Sequence, residues 1–87
     1  MSHFEWLQLR RPPVTSLAKV AIGSSAKVTL VNGTDPTAAR LLEMGLTPGV
    51  NVKVVGTAPL GDPLELEVRG YRLSIRRTEA ARVAISR

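Results

Sequence analysis

The chain has no cysteine and one histidine, His3. Without cysteine there is no disulfide and no thiolate metal cage. A lone histidine in the first few residues is a poor proton shuttle, because general acid–base work needs a titratable group positioned in a cleft. Aromatic residues are also scarce, at 3% of the chain: Phe4, Trp6 and Tyr71. That leaves little for the stacking platforms that single-stranded nucleic acid favours. No stretch approaches the roughly 20 apolar residues of a membrane helix. The start carries Glu5 early, and Leu7-Gln8-Leu9 runs straight into Arg10-Arg11, so a secretory apolar region is missing. Both glycine-rich phosphate-binding patterns, G-x-x-x-x-G-K-[ST] and G-x-G-x-x-G, are absent. The expectation is a cytoplasmic, non-enzymatic protein without a cofactor.

What is present is enough apolar content, 44% of 87 residues, for one compact core. A domain this small buries only about 60% of its unfolded surface. Twelve Lys and Arg against seven Asp and Glu give a net charge of +5. A basic balance fits nucleic acid or acidic partners. No Lys/Arg run exceeds two residues, however, and that is the pattern of ordinary solvated faces.

Punctuation along the chain divides it into short elements. Residues 1–15 read as an extension, since Pro12-Pro13 forbids a helix and favours an extended path. Phe4 and Trp6 in it would pack on the core or form a contact patch. Leu17, Val20 and Ile22 bring the chain into the core. Ala26 to Val31 reads as a strand ended by Asn32-Gly33. Asp35-Pro36 starts a helix, with Asp35 as cap and Pro36 at the first position. Ala38, Leu41, Leu42 and Gly45 fall on one helical face, and Gly45 is a left-handed stop after which Leu46 packs back. Pro48-Gly49 is a turn.

Val50 to Val55 is the second strand, followed by the turn Gly61-Asp62-Pro63. Leu64, Leu66 and Val68 then alternate with charges, as do Tyr71, Leu73 and Ile75. Arg69-Gly70 between them reads as a two-residue hairpin turn. That register pairs Val68 with Tyr71, Leu66 with Leu73 and Leu64 with Ile75 on the core side. On the other side it sets Glu67 against Arg72 as an exposed ion pair. A helical turn capped by Thr78 and a short strand from Val83 to Ile85 close the chain. The sum is a mainly β protein, a small partly open barrel of about five strands with one inserted helix and a helical turn before the last strand.

Residues 40–85 resemble the FeoA family, the small cytosolic protein of bacterial ferrous iron transport. The resemblance rests on Arg40-Leu41-Leu42-Glu43-Met44-Gly45-Leu46-Thr47-Pro48-Gly49, on Gly61-Asp62-Pro63-Leu64-Glu65, on Arg69-Gly70-Tyr71-Arg72-Leu73 and on Glu79-Ala80-Ala81-Arg82. It implies an SH3-like barrel over residues 16–87 and a partner, the membrane transporter FeoB, which imports Fe(II) and carries a cytosolic GTP-binding domain. The same domain ends metal-dependent repressors of the diphtheria-toxin-repressor type, and the chain's length favours a stand-alone member.

The candidate site residues follow from this reading. Arg69, Tyr71, Arg72 and Arg76 lie on or beside the last hairpin and form the candidate partner surface, since Arg and Tyr are enriched at interface anchors. Asp35, Gly45, Gly49, Gly61, Asp62, Pro63 and Gly70 read as caps and turns. Glu65 and Glu67 lie on a solvent face. No set of His, Cys and carboxylates has ligand spacing. His3 and Glu5 would share a face of an extended segment and hold at most an adventitious divalent ion. The alternative function is a nucleic-acid-binding SH3-like barrel, motivated by the net charge.

Overall fold

The computed structural model describes residues 15–86. His3, Phe4, Glu5, Trp6 and Pro12-Pro13, with the readings attached to them, lie outside the described residues.

Six antiparallel strands form one sheet: β1 (Thr15–Ser16), β2 (Ser25–Val31), β3 (Asn51–Thr57), β4 (Leu64–Val68), β5 (Tyr71–Ile75) and β6 (Val83–Ser86), in the spatial order β1-β6-β2-β3-β4-β5. Two helices interrupt them, α1 (Pro36–Glu43) and α2 (Arg77–Ala80). Short 3-10 turns cover Leu17–Lys19 and Pro59–Gly61. The architecture is mainly β, as expected, with one strand more. The addition is Thr15–Ser16, two residues too short for any alternation to be read, which pair with Ala84 and Ile85.

Alternation puts Val52 and Val54 of β3 and Leu64, Leu66 and Val68 of β4 into one core, with Leu17, Leu41 and Leu46 closing over it. Each such side chain contributes about 1.5–3 kcal/mol of apolar burial. Two bulges bend the sheet around that core, one between Val54 and Gly56 against β4, the other between Val28 and Leu30 against β6. The second explains an exposed leucine. After Ala26 and Val28 the period would turn Leu30 inward, but the extra residue shifts the phase. Val31 is buried instead, and Leu30 faces solvent.

The helix begins as expected. Asp35 accepts a hydrogen bond from the Ala38 amide at 3.2 Å, and Pro36 follows at the first position. It ends in a Schellman motif, in which Gly45 N–H donates to Leu42 and Leu46 N–H donates to Leu41. Gly45 takes φ +105, and Leu46 is fully buried. Three side chains depart from the expected pattern. Leu42 lies at the margin of the helical face and stays 39% exposed, because Ala38 and Leu41 already fill the contact with the sheet. Ile22 is exposed too, since the chain turns at Gly23 before the next strand begins. Thr78 does not cap α2. The Glu79 carboxylate reaches back to the Arg76 amide at 2.9 Å, and Asp62 accepts from the Arg77 amide at 3.0 Å.

Candidate functional site

The last hairpin has the expected register. Leu64 opposes Ile75, Leu66 opposes Leu73 and Val68 opposes Tyr71. The two turn residues both have positive φ, Arg69 at 51° and Gly70 at 86°. That is the type I′ geometry whose twist matches the flanking strands. Asn, Asp or Gly is the usual occupant of the first position, so an arginine there carries strain.

Tyr71 was expected to face the core and does not. It is 44% exposed, and its hydroxyl donates to the Met44 carbonyl at 2.6 Å. This satisfies one of the carbonyls that a helix C-terminus leaves open. The hydroxyl lies where a Cβ on Gly45 would stand. Gly45 is thus required twice, by its backbone angle and by its neighbour. The polar end of tyrosine explains the outcome, since burying it against Val68 would leave the hydroxyl unpartnered.

Of the four candidate partner residues, Arg69, Tyr71 and Arg72 share the turn end of the hairpin, but as neighbours along β5 Tyr71 and Arg72 face opposite sides of the sheet. Arg76 lies four residues beyond Arg72, about 13 Å along an extended strand. There it lines a shallow cleft of about 430 Å³ together with Thr37, Arg40, Thr78, Glu79 and Arg82. Arg72 stands opposite Glu67, but the two do not close as an ion pair, which corrects the expectation. Among the described residues neither Arg69, Arg72 nor Arg76 forms an ion pair.

The other arginines among the described residues are occupied. Arg82 grips Asp35 with both Nη atoms, Nη1 at 2.9 Å, and its Nε donates to the Asn32 carbonyl. This holds the Asp35 carboxyl below its ordinary range, first through the Arg82 hydrogen bonds and then through the Ala38 amide. Arg82 is raised in turn by the Asp35 hydrogen bond. Arg40 pairs with Glu79, tying α1 to α2. Arg77, which the sequence reading passed over, fastens three segments. Its Nε donates to the Gly61 carbonyl at 2.6 Å and its Nη1 to the Ala18 carbonyl at 3.0 Å, while Asp62 holds its amide. The acceptors lie 15, 16 and 59 residues away, so no local spacing could have revealed the clasp.

Asp62 therefore does more than shape its turn, and the Asp62–Pro63 bond is cis. Gly49 and Gly61 sit in turns at positive φ. Leu60, also at positive φ, is fully exposed at the tip of that loop. Among the described residues, no three His, Cys, Asp or Glu side chains gather where they could hold a metal ion. No helix among them is long and apolar enough to cross a membrane.

The FeoA domain model matches residues 15–87. The chain belongs to the FeoA family. A FeoA-like protein from Clostridium acetobutylicum is 32% identical, with a TM-score of 0.79, over 87% of this chain and 88% of that one. FeoA from Stenotrophomonas maltophilia, crystallised with zinc, is 33% identical with a TM-score of 0.73, over 83% of this chain and 89% of that one. It is described as an SH3-domain protein and as a candidate activating factor of ferrous iron transport. A curated relative in Porphyromonas gingivalis, an Fe(2+) transport protein A/FeoB fusion protein, is 35% identical over 79% of this chain. The chain spans 8% of that relative's length. The family ties this SH3-like fold to ferrous iron transport as an accessory domain.

Proposed function

We propose that this FeoA-family chain is a non-enzymatic accessory of bacterial ferrous iron uptake that works in the cytoplasm by binding the cytosolic side of the Fe(II) transporter FeoB. The observation that carries the reading is the Porphyromonas gingivalis fusion, in which a segment similar to this chain shares one polypeptide with the transporter. Fusion keeps two modules at high effective concentration, which is useful when they meet in function. The unpaired arginines and half-exposed tyrosine of the β4–β5 hairpin are side chains of the kind that anchor protein contacts. A bound accessory changes transport or GTP turnover only by preferring one transporter state over another.

The test is a titration of the full chain against full-length FeoB from the same genome in nanodiscs, with and without GTP, at about 0.15 M salt, where exposed charges beyond ~8 Å are screened. Saturable binding that responds to nucleotide is the expected result. No binding in either state overturns the reading, and a steep salt dependence of DNA or RNA binding would then favour the nucleic-acid alternative.

A further inference from the structure

The backbone of β5 has one side without a partner among the described residues, since β5 ends the sheet. The register says which groups are left open. A two-residue turn makes Val68 and Tyr71 a hydrogen-bonded pair, and pairs of this type recur at every second residue. Tyr71, Leu73 and Ile75 therefore direct their N–H and C=O groups to β4. Arg72 and Ser74 direct theirs outward, so that two donors and two acceptors stand along the free edge.

The side chains on the outer face state what would fit there. Lys53 of β3 opposes Glu67 of β4, and Glu67 opposes Arg72 of β5. Charge alternates across three strands, positive, negative, positive, and stops at the edge with Arg72 unpaired. A fourth strand continues that ladder if it carries a carboxylate beside Arg72, because directly opposed unlike charges stabilise and like charges repel. On the inner face Leu73 is only half-buried and packs against the core margin, so the residue beside it would be apolar. A second copy of β5 fits less well, since edge-to-edge pairing would bring two arginine-bearing strands together.

We propose that the outer edge of β5 takes up an extended segment of about five residues, alternately acidic and apolar, as a seventh strand. Main-chain hydrogen bonds at Arg72 and Ser74 would provide the binding, and the carboxylate beside Arg72 would set the register. This names the mode of contact for the transporter reading and rests on it. The strained arginine at the turn and Arg76 at the far end extend positive charge along the edge.

The experiment uses the full chain, wild type, Ser74→Pro and Arg72→Glu. Proline at position 74 removes an outward N–H without touching the β4 ladder, and the open side of an edge strand tolerates proline. Should that variant fail to give a folded spectrum, Arg72→Glu alone carries the test, since it alters only an exposed side chain. Each is titrated against FeoB in nanodiscs, and separately against a soluble peptide of alternating Glu and Val while amide exchange is followed by NMR. The expected result is at least a tenfold loss of FeoB affinity in both variants. In the wild type, the Arg72 and Ser74 amides should become protected on peptide binding, while those of Tyr71 and Leu73 are protected throughout. If the variants bind FeoB as tightly as the wild type, the edge is not the site, and the transporter reading stands without it. If the wild type does not bind FeoB but the peptide protects Arg72 and Ser74, the transporter reading falls and the edge belongs to another acidic partner. No binding to FeoB and no protection overturns both.

Discussion

Arg82 and Arg72 carry the same guanidinium group on one small domain, and their surroundings differ in every other respect. Arg82 has both Nη atoms on Asp35 and its Nε on the Asn32 carbonyl, and its side chain is only 28% exposed. Arg72 points to solvent from an edge strand, with Glu67 opposite but unengaged. The clasp side, which includes Arg40 on Glu79 and Arg77 on Gly61 and Ala18, holds separate segments together. The arginines of the hairpin side make no ion pair within the described residues. The lesson is that net charge says little about partners until the occupied arginines are subtracted. Three of the arginines behind that positive charge, Arg40, Arg77 and Arg82, are engaged in building the fold.

The sharpest way to break this contrast is Arg82→Ala. It removes all the Arg82 side-chain hydrogen bonds at once and should lower the thermal midpoint by several degrees, measured by circular dichroism. If the midpoint does not move, the clasp is ornamental and the distinction between the two sides fails. Gly45→Ala should cost about 1–2 kcal/mol from the left-handed backbone alone. Part of any further loss should return in the double variant with Tyr71→Phe, because the hydroxyl then no longer meets the added methyl. Tyr71→Phe by itself should cost about 1 kcal/mol in denaturant titration, the ordinary worth of one hydrogen bond.

Acidification separates the two sides in another way. Asp35 has its folded pKa held below the ordinary value of 3.8, so it contributes stability in full above that value. The contribution is lost as pH falls through about 4 towards the folded pKa. The acid limb of a stability–pH curve should therefore flatten in Arg82→Ala and stay unchanged in Arg72→Ala. At the hairpin, Arg69→Asn should raise stability by up to about 1 kcal/mol, since asparagine tolerates positive φ better. The same change should weaken FeoB binding if Arg69 contributes charge to the edge. The smallest expected effect is that of Arg72→Ala on folding, within about 0.5 kcal/mol. A larger loss of stability would mean that the edge arginine has a structural duty after all.

Much of the fold was legible because its signals are local. Asp35 caps a helix, and the Gly45 stop lies within the same dozen residues. The β4–β5 register follows from two alternating runs joined by Arg69-Gly70, since slipping by one residue would turn every leucine outward. Legibility ended where a side chain had to choose between distant neighbours. Tyr71 looked like a core residue by period, yet its hydroxyl needed the Met44 carbonyl. Thr78 looked like a cap, yet Glu79 and Asp62 reached the helix start first. Leu30 fell in phase with Ala26 and Val28 until a bulge shifted that phase.

The sequence by itself determined five of the six strands among the described residues, the helix α1 with both its ends, the hairpin register and the family resemblance, because each is written in neighbouring residues as period, cap or turn chemistry. Only the tertiary structure decided which arginines are clasped and which stand unpaired, and that β5 lies at the end of the sheet. Those outcomes depend on groups up to 59 residues apart meeting in space, and side-chain spacing along a chain carries no information about that distance.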